Sequence, residues 1–523
     1  MNTPVRLRDL LNEFPFPYQL LGDDALVSGV VFDSRQVQAG SLFVAASGEF
    51  ADGHRFIPDA IQRGAAAVVG SQDLPGLAVP YVRVPDGRQA LPHLAAAFYG
   101  YPARKLTMLG VTGTDGKTTT VNLVYHIMQA AGLKVGMIST VNAVIGQQVL
   151  DTGFHVTTPD SPDIQAYLAE MVAAGMTHCV LETTSHGLAQ GRVDACDFDA
   201  AVITNVTHEH LDYHGSYENY LRAKGLLFES LSKTPRKRIG NLRAAVLNKD
   251  DQSYAYLKRV SPERQVSYSM QNEASLWADE IDNQPTELGF TCHFGEEKTL
   301  RVRTSMNGIY NVSNCLPALG LCVNLLGVPA ETAVRALASL PGVPGRMERI
   351  DLGQPFSAIV DFAHTPNALA RALETARGLT KGRLIAVFGS AGLRDREKRK
   401  MMPAVSVRLA DLSFLTAEDP RTESLDAILQ DMALAAVDAG GREGENFWRV
   451  PDRGDAIRLA LQSARPGDLV IVCGKGHEQS MCFEKTEYAW DDRQAVRAAL
   501  AELLGVPGPQ MPWLPTSKEK PGA

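Results

Sequence analysis

The chain has 523 residues, 45% of them hydrophobic and 21% charged, with a formal net charge of −8. That composition is ordinary for a soluble globular protein, and the negative balance excludes binding to nucleic acid by charge alone. No apolar run approaches the ~20 residues that cross a bilayer, so no membrane span is expected.

The length predicts two to four domains. Met1 to Asn12 carries Arg6, Arg8 and Asp9 without a long apolar core, and is not expected to be a secretory signal. The seven cysteines include no C-x-x-C pair, which argues against a zinc ribbon or a disulfide framework. They read as small core residues, and the cytoplasm is the expected compartment.

Residues 1–102 read as a small α/β domain. Gly29–Phe32, Ser41–Ala46 and Ala65–Val69 are strand candidates, and Ile57–Gly64 reads as a helix with Pro58 tolerated in its first turn. Ser34 and Arg35 follow the first strand, where a hydroxyl and a guanidinium can hold a phosphate or another polar group. A surface turn is the plainer reading of that pair, and Asp52-Gly53-His54 also reads as a turn.

Residues 103–341 read as a second domain. Lys105–Leu109 is expected to be a buried strand, and Val121–Ala131 a helix with apolar residues at helical spacing. Between them lies Gly110-Val111-Thr112-Gly113-Thr114-Asp115-Gly116-Lys117-Thr118-Thr119-Thr120. Strand, glycine turn and helix N-terminus make a phosphate cradle, in which backbone N–H groups and the helix dipole favour an anion. Lys117 supplies a point charge for the β- and γ-phosphates, and Thr118 a hydroxyl for Mg²⁺. The common P-loop pattern wants glycine at 111, where this chain has Val.

Further strands are expected at Val135–Ser139, Cys179–Glu182 and Ala201–Thr204, alternating with helices, which implies a parallel sheet covered on both faces. Ligands bind beyond the carboxyl ends of such strands. That places Thr157 and Thr158, Glu182 to His186, and Asn205 to His214 around the glycine loop. Glu182 can hold Mg²⁺ or cap a helix. His208-Glu209-His210-Leu211-Asp212-Tyr213-His214 suggests metal or phosphate work; with no thiolates nearby, Mg²⁺ is preferred over zinc. Lys224, on a predicted helix, reads by itself as a solvated surface lysine.

Residues 342–504 read as a doubly wound domain, with strands at Ala358–Asp361, Leu384–Phe388, Leu412–Thr416 and Leu469–Cys473. Gly389–Asp395, Glu418-Asp419-Pro420-Arg421 and Gly474-Lys475-Gly476-His477-Glu478 follow three of these strands. Together they suggest a substrate pocket. The proline-rich stretch 505–523 is expected to be disordered.

The ordered motifs resemble the Mur ligases, ATP-dependent amide-forming enzymes of peptidoglycan precursor synthesis, and most of all their MurE branch. That branch adds the third peptide residue to UDP-N-acetylmuramoyl-L-alanyl-D-glutamate. The matching stretches span residues 25–500: Asp33-Ser34-Arg35, Asp52-Gly53-His54, Gly110 to Thr119, Ser185-His186-Gly187-Leu188, Thr204-Asn205, His210 to Gly215, Asn311 to Asn314, Gly345-Arg346-Met347-Glu348, Asp361 with Ala363-His364-Thr365-Pro366, and Gly474 to Glu478. Val111 is itself the Mur form of the loop.

The resemblance implies three α/β domains, with a central P-loop parallel-sheet ATPase domain between a small N-terminal α/β domain and a C-terminal doubly wound, Rossmann-like domain. It implies ATP and Mg²⁺ as cofactors, and a UDP-N-acetylmuramoyl-dipeptide and a diamino acid as substrates. A monomer is expected. By resemblance Gly113, Thr114, Asp115, Gly116, Lys117, Thr118, Thr119, Asn314, Arg346 and Asp361 would bind ATP. Ser34 would hold the UDP end, and Thr157, Thr158, Thr184, Gln190 and Arg192 the muramoyl-dipeptide. Lys224 matches a lysine that is carbamylated in the family, and the carbamate would join Thr118, Glu182 and His210 as a metal ligand. Lys117, Lys224, His210 and Glu182 are thus the expected catalytic set. Arg394, Asp419, Arg421, Gly474 and Glu478 would bind the diamino acid.

Four positions depart from the family: Glu209 for Asp, Thr184 for Ser, and Glu418 and Asp419 in Glu418-Asp419-Pro420-Arg421, where Asp-Asn-Pro-Arg is usual. The last bears on the amino acid. Arg421 favours the far carboxylate of meso-diaminopimelate, whereas the extra acid at Asp419 favours an ammonium, as in L-lysine or L-ornithine. A folylpolyglutamate-synthase-like ligase is the alternative, and it should lack the N-terminal domain that carries Asp33-Ser34-Arg35.

Overall fold

The computed structural model of the chain describes residues 3–47, 52–150, 158–207, 211–284, 287–296, 298–394 and 396–517. They fall into two compact units: Met1–Asp279 with Thr291–Arg301 and Val312–Leu337, and Glu280–Phe290 with Val302–Asn311 and Ala338–Ala523.

The first unit opens on a five-stranded sheet in the order Gln19–Leu21, Tyr81–Arg83, Ala67–Gly70, Ser41–Val44, Gly29–Val31. Only the edge strand Gln19–Leu21 pairs antiparallel. The expected strands are present with ends shifted by one or two residues, and the helix is Ile57–Gln62. A longer helix, Gly87–Phe98, covers this sheet; Asp86 starts it by accepting from the N–H groups of Arg88 and Gln89.

The second sheet of this unit places the glycine-loop strand Thr107–Thr112 between His178–Glu182 and Ala200–Ile203, all parallel. Val135–Ile138 lies outside one neighbour, and Ala244–Asn248 and then Arg264–Ser269 lie outside the other. The expected strand stops at Leu109, yet parallel pairing carries it to Thr112. Gly110 is therefore a strand residue and not part of the turn. A Cβ there would sit 2.8 Å from Leu227 and 3.0 Å from Phe198, so glycine lets those side chains pack onto the strand. The helix begins at Lys117, four residues before the expected start, which leaves a loop of only Gly113–Gly116.

Beneath this strand lies a buried ion pair. Lys237 Nζ donates to Asp199 Oδ2 at 2.5 Å and to the Leu106 carbonyl at 3.0 Å, with both side chains at 1% exposure or less. Asp199 also accepts from Met108 N–H at 2.8 Å, which ties the pair to the strand. Burial pushes the Asp199 carboxyl up and the Lys237 ammonium down, and each partner's charge opposes the shift of the other.

The second unit contains a six-stranded sheet in the order Glu348–Ile350, Ser357–Asp361, Leu469–Cys473, Leu384–Phe388, Leu412–Leu415, Phe447–Arg449. It is parallel except at Glu348–Ile350. Apolar clusters lie on both faces: Leu369, Leu373, Met402 and Met432 on one, Ile457, Leu461, Val496 and Leu500 on the other. This is the expected doubly wound arrangement.

Residues 505–517 correct the expectation of a disordered tail. Leu514 is fully buried, Trp513 meets Tyr488 edge to face at 5.7 Å, and Thr516 and Ser517 each donate to Asp452 Oδ2 at 2.8 Å. The prolines limit the entropy that ordering must remove, and Leu514 gives the segment an apolar anchor. Residues 518–523 lie outside the described residues. All seven cysteines are buried and unbridged.

Lys237→Met should leave Asp199 as an uncompensated buried charge and cost roughly 3–5 kcal/mol. The check is urea unfolding followed by a probe in the first unit, and Lys237→Met with Asp199→Asn should recover most of the loss.

Candidate active site

Two glycines of the loop exist where a side chain cannot. Gly113 has φ 151° and Gly116 φ 80°, both in the region that favours glycine. A Cβ at Gly113 would lie 1.8 Å from Thr204 Oγ1, and one at Gly116 would lie 2.1 Å from Asn314 Oδ1. Thr204 Oγ1 donates to the Asp115 carbonyl at 2.6 Å, and Asn205 Oδ1 accepts from Asp115 N–H at 3.0 Å. The neighbouring strand end thus moulds the loop from one side and Asn314 from the other. Lys117 Nζ rests on the Thr114 carbonyl at 2.7 Å.

Glu182 ends the adjacent strand and is 1% exposed. Its Oε1 accepts from Thr118 Oγ1 at 3.0 Å, and its Oε2 from Thr140 N–H at 3.0 Å. The two expected metal-binding oxygens of this loop are therefore already side by side. Among the described residues no group of three His, Cys, Asp or Glu side chains is placed to hold a metal ion. His210, the expected histidine ligand, lies outside the described residues, as do Thr157 and the rest of His208–His210.

Lys224 is not a solvated lysine. Ser216 caps its helix, Tyr217–Lys233, and Lys224 is 1% exposed on the inner face. Its Nζ donates to the Gly113 carbonyl at 2.6 Å and sits 4.3 Å from the centre of the Tyr220 ring. Tyr220 OH in turn meets Thr114 Oγ1 at 3.0 Å. Tyr220 was not among the expected site residues, and its spacing of four from Lys224 on one helix face is the signal that could have found it.

Thr158, Thr184, Gln190 and Arg192 form one hydrogen-bonded group. Thr158 and Thr184 hydroxyls are 3.1 Å apart, and Thr184 Oγ1 caps the short helix Ser185–Ala189 through Gly187 N–H. Arg192 donates to the Thr158 carbonyl at 2.9 Å and to Gln190 Oε1 at 2.8 and 3.0 Å. Gln190 reaches Tyr213 OH at 3.3 Å. Ser34 is buried in the turn Ser34–Gln36, and Arg35 forks onto Asp33, whose carboxyl it holds below the usual range.

In the second unit, Asp361 is buried and accepts from Met347 N–H at 2.8 Å and Ala363 N–H at 2.9 Å. Burial raises its carboxyl, with Arg346 and these N–H groups opposing. Arg346 lies 4.4 Å over the Phe362 ring. Asp419 is turned inward: both oxygens accept from Lys475 Nζ at 3.0 Å, and Oδ1 also accepts from Cys482 N–H at 2.9 Å. Lys475, buried and 2.5 Å from Glu478, stays protonated between the two acids. Arg421 donates from Nη1 to the Gly392 carbonyl at 3.0 Å, and Arg394 is exposed.

Glu418, which belongs to one of the expected pocket loops but not to the expected diamino-acid set, sits between these groups. It is 7% exposed, and its Oε2 is buried with no hydrogen-bond partner among the described residues. A Cβ at Gly474 would lie 2.4 Å from that oxygen, so Gly474 is what leaves it room. Burial raises the Glu418 carboxyl to about 7, with Arg453 opposing and Asp419 adding to the rise.

Three family models match: the Mur ligase family catalytic domain at residues 26–99, the Mur ligase middle domain at 111–322, and the Mur ligase glutamate ligase domain at 345–476. A UDP-N-acetylmuramyl-tripeptide synthetase of Roseiflexus sp. is 42% identical over 95% of this chain and 99% of its own length. A UDP-N-acetylmuramoyl-L-alanyl-D-glutamate–2,6-diaminopimelate ligase of Geobacillus thermodenitrificans is 40% identical over 95% of this chain and all of its own. A solved structure of a ligase with that same name superposes with a TM-score of 0.63 at 30% identity, covering 92% of this chain and 96% of that one. Sheet order, glycine loop and relatives agree: the chain belongs to the Mur ligase family and has its three-domain α/β architecture.

Proposed function

We propose that this chain is an ATP-dependent ligase that adds meso-diaminopimelate to UDP-N-acetylmuramoyl-L-alanyl-D-glutamate in peptidoglycan synthesis. The observation that carries the reading is the closed glycine cradle with Thr118–Glu182 on one side and Lys224 on the Gly113 carbonyl. It is joined by near-full-length identity to ligases bearing that name. The match at residues 26–99 covers the part that a folylpolyglutamate-synthase-like ligase is expected to lack. We assign residues 1–102 to the UDP substrate, 103–341 to ATP and 342–504 to the amino acid. Among the described residues no helix is long and apolar enough to cross a membrane, and we place the enzyme in the cytoplasm as a monomer.

In this reading the D-glutamate γ-carboxylate attacks the ATP γ-phosphorus and ADP leaves, giving an acyl phosphate. The amine of the diamino acid then attacks the acyl carbon, loses a proton, and expels phosphate. Lys117 leaves the Thr114 carbonyl to neutralise charge on the transferred group, and the first N–H groups of the helix, from Lys117 to Thr119, cradle the phosphates. Asn314, Arg346 and Asp361 contact the rest of the nucleotide. Thr118, Glu182, His210 and a carbamylated Lys224 would hold Mg²⁺, which supplies positive charge to the phosphates. Ser34, Thr157, Thr158, Thr184, Gln190 and Arg192 orient the UDP-dipeptide.

For the diamino acid, Arg394 and Arg421 face carboxylate, and Gly474, Glu478 and Glu418 face ammonium. The carboxylate that argued for lysine is turned away onto Lys475, which Asp419 shares with Glu478, and so does not itself face the amino acid. That removes the main reason to prefer a bare ammonium at the far end and strengthens meso-diaminopimelate over L-lysine or L-ornithine. Asp419 then supports the pocket through Lys475.

Lys117→Ala should lose roughly 10²-fold or more in turnover, as expected for one preorganised charge donor, and Lys224→Ala should be nearly inactive. Both are read as ADP release with UDP-dipeptide and diaminopimelate. With the three amino acids compared on one UDP-dipeptide, kcat/KM should favour meso-diaminopimelate by about tenfold or more, ~1.4 kcal/mol; a preference of that size for lysine or ornithine would show that Arg421 does not read a carboxylate. Glu418 gains its charge only as pH rises through about 7. KM for diaminopimelate should therefore fall from about pH 6 to about pH 8, and Glu418→Gln should flatten that trend.

A further inference from the structure

We propose that Glu423 is a positioning residue for amino-acid selection: one carboxylate that locks the two loops carrying Arg394 and Arg421 to each other. The inference rests on the reading above that those two arginines face the diamino acid.

The loops exchange backbone and side-chain bonds. Gly392 N–H donates to the Asp419 carbonyl at 3.0 Å, and Arg421 Nη1 returns a bond to the Gly392 carbonyl at 3.0 Å. The approach is so close that a Cβ at Gly392 would lie 2.0 Å from the Pro420 carbonyl oxygen. Three non-glycine residues here have left-handed backbone: Leu393 at φ 55°, Asp419 at 38° and Arg421 at 53°. Such conformations persist only where the surroundings impose them.

Cys482 and Glu484 hold the Asp419 and Arg421 end through their backbone groups, and Glu423 holds the Leu393 end. Its Oε2 accepts from Leu393 N–H at 3.0 Å, one residue before Arg394. Both of its oxygens accept from Arg399, at 2.7 and 2.5 Å, and Arg396 adds a third guanidinium at 3.3 Å. Arg399 is 1% exposed on the helix Glu397–Leu409 and also reaches the Ala391 carbonyl at 3.5 Å. Arg399 thus reaches the chain before Gly392 directly and the chain after it through Glu423. Glu423 lies two residues after Arg421, and Ser424 beside it caps the next helix, Leu425–Asp438. The carboxylate spends its oxygens on Leu393 N–H and on the Arg396 and Arg399 guanidinium groups. It fixes the span between the two arginines, which must match the spacing of the groups on the amino acid.

The test is steady-state kinetics of Glu423→Gln on the full chain, varying each substrate in turn. Gln keeps the shape and loses the charge-assisted fork, so KM for meso-diaminopimelate should rise about tenfold or more, while KM for ATP and for the UDP-dipeptide moves less than about twofold. The preference for diaminopimelate over lysine should shrink with it, and Glu423→Asp should recover part of both. If Glu423→Gln does not fold, Arg399→Lys, which keeps the charge and loses the fork, should give the same KM split. Unchanged KM for diaminopimelate, or equal changes for all three substrates, would overturn the proposal. Arg421→Ala is run beside it: an unchanged KM there would overturn the underlying reading and the proposal with it, whereas a raised KM there with normal Glu423→Gln kinetics would overturn the proposal alone.

Discussion

The molecule's chemistry depends on a steric constraint at Gly113 and Gly116. The chain bends through two left-handed positions while Thr204 and Asn314 press on the space where side chains would be. That closeness turns a strand end into a tight mould, in which Thr114 N–H and Asp115 N–H are both held by Asn205. Everything else in the first unit is placed relative to it. Glu182 is the last residue of the next strand, Lys224 reaches the Gly113 carbonyl from a capped helix, and Tyr220 braces Thr114. The buried Lys237–Asp199 pair holds the same strand at its other end through Leu106 and Met108. The strand is therefore fixed at both ends by polar bonds in a setting that is otherwise apolar.

The second unit solves a different problem. Two of its loops and the start of the helix Arg453–Ser463 bring five charged side chains together: Glu418, Asp419, Lys475 and Arg453, all buried, and the partly exposed Glu478. Most of these charges are satisfied internally. Asp419 takes Lys475, and Arg453 takes Asp492 at 2.7 Å as well as the Ala417 and Cys473 carbonyls. Glu418 is left with an oxygen that nothing in the described chain meets. One ammonium, Lys475, thus serves two acids, Asp419 and Glu478, beside a third acid whose Oε2 has no hydrogen-bond partner among the described residues.

Much of this was legible in the sequence, because strands buried on both faces read as continuous apolar runs and end in polar loops. The runs at Leu384–Phe388 and Leu469–Cys473 gave strands with the same bounds. The glycine loop's chemistry was also readable, though not its length, since Gly110 looks like a turn residue until Leu227 and Phe198 are seen above it. Local pattern could not show that Lys224 is buried, because a lysine on a helix is ordinarily solvated and only the tertiary fold turns that face inward. It also could not show that Asp419 is already paired, since Lys475 lies 56 positions away. The tail misled for a related reason. Its prolines match a disordered composition, while a single leucine at 514 and two hydroxyls on Asp452 decide the outcome.

The strand order of the second unit bears on how the protein can be made. Leu469–Cys473 lies between Ser357–Asp361 and Leu384–Phe388, both of which precede it by more than 80 residues. On a ribosome the two outer strands emerge first and have no partner in each other. Each has one neighbour by then, Glu348–Ile350 or Leu412–Leu415, but its other edge stays open until the middle strand follows. The segment that seals the same unit, around Leu514, emerges later still. Synthesis therefore exposes a half-sheet for several seconds at ordinary elongation rates of ~5–20 residues per second. Only when Leu469–Cys473 arrives do the two strand pairs join into one sheet.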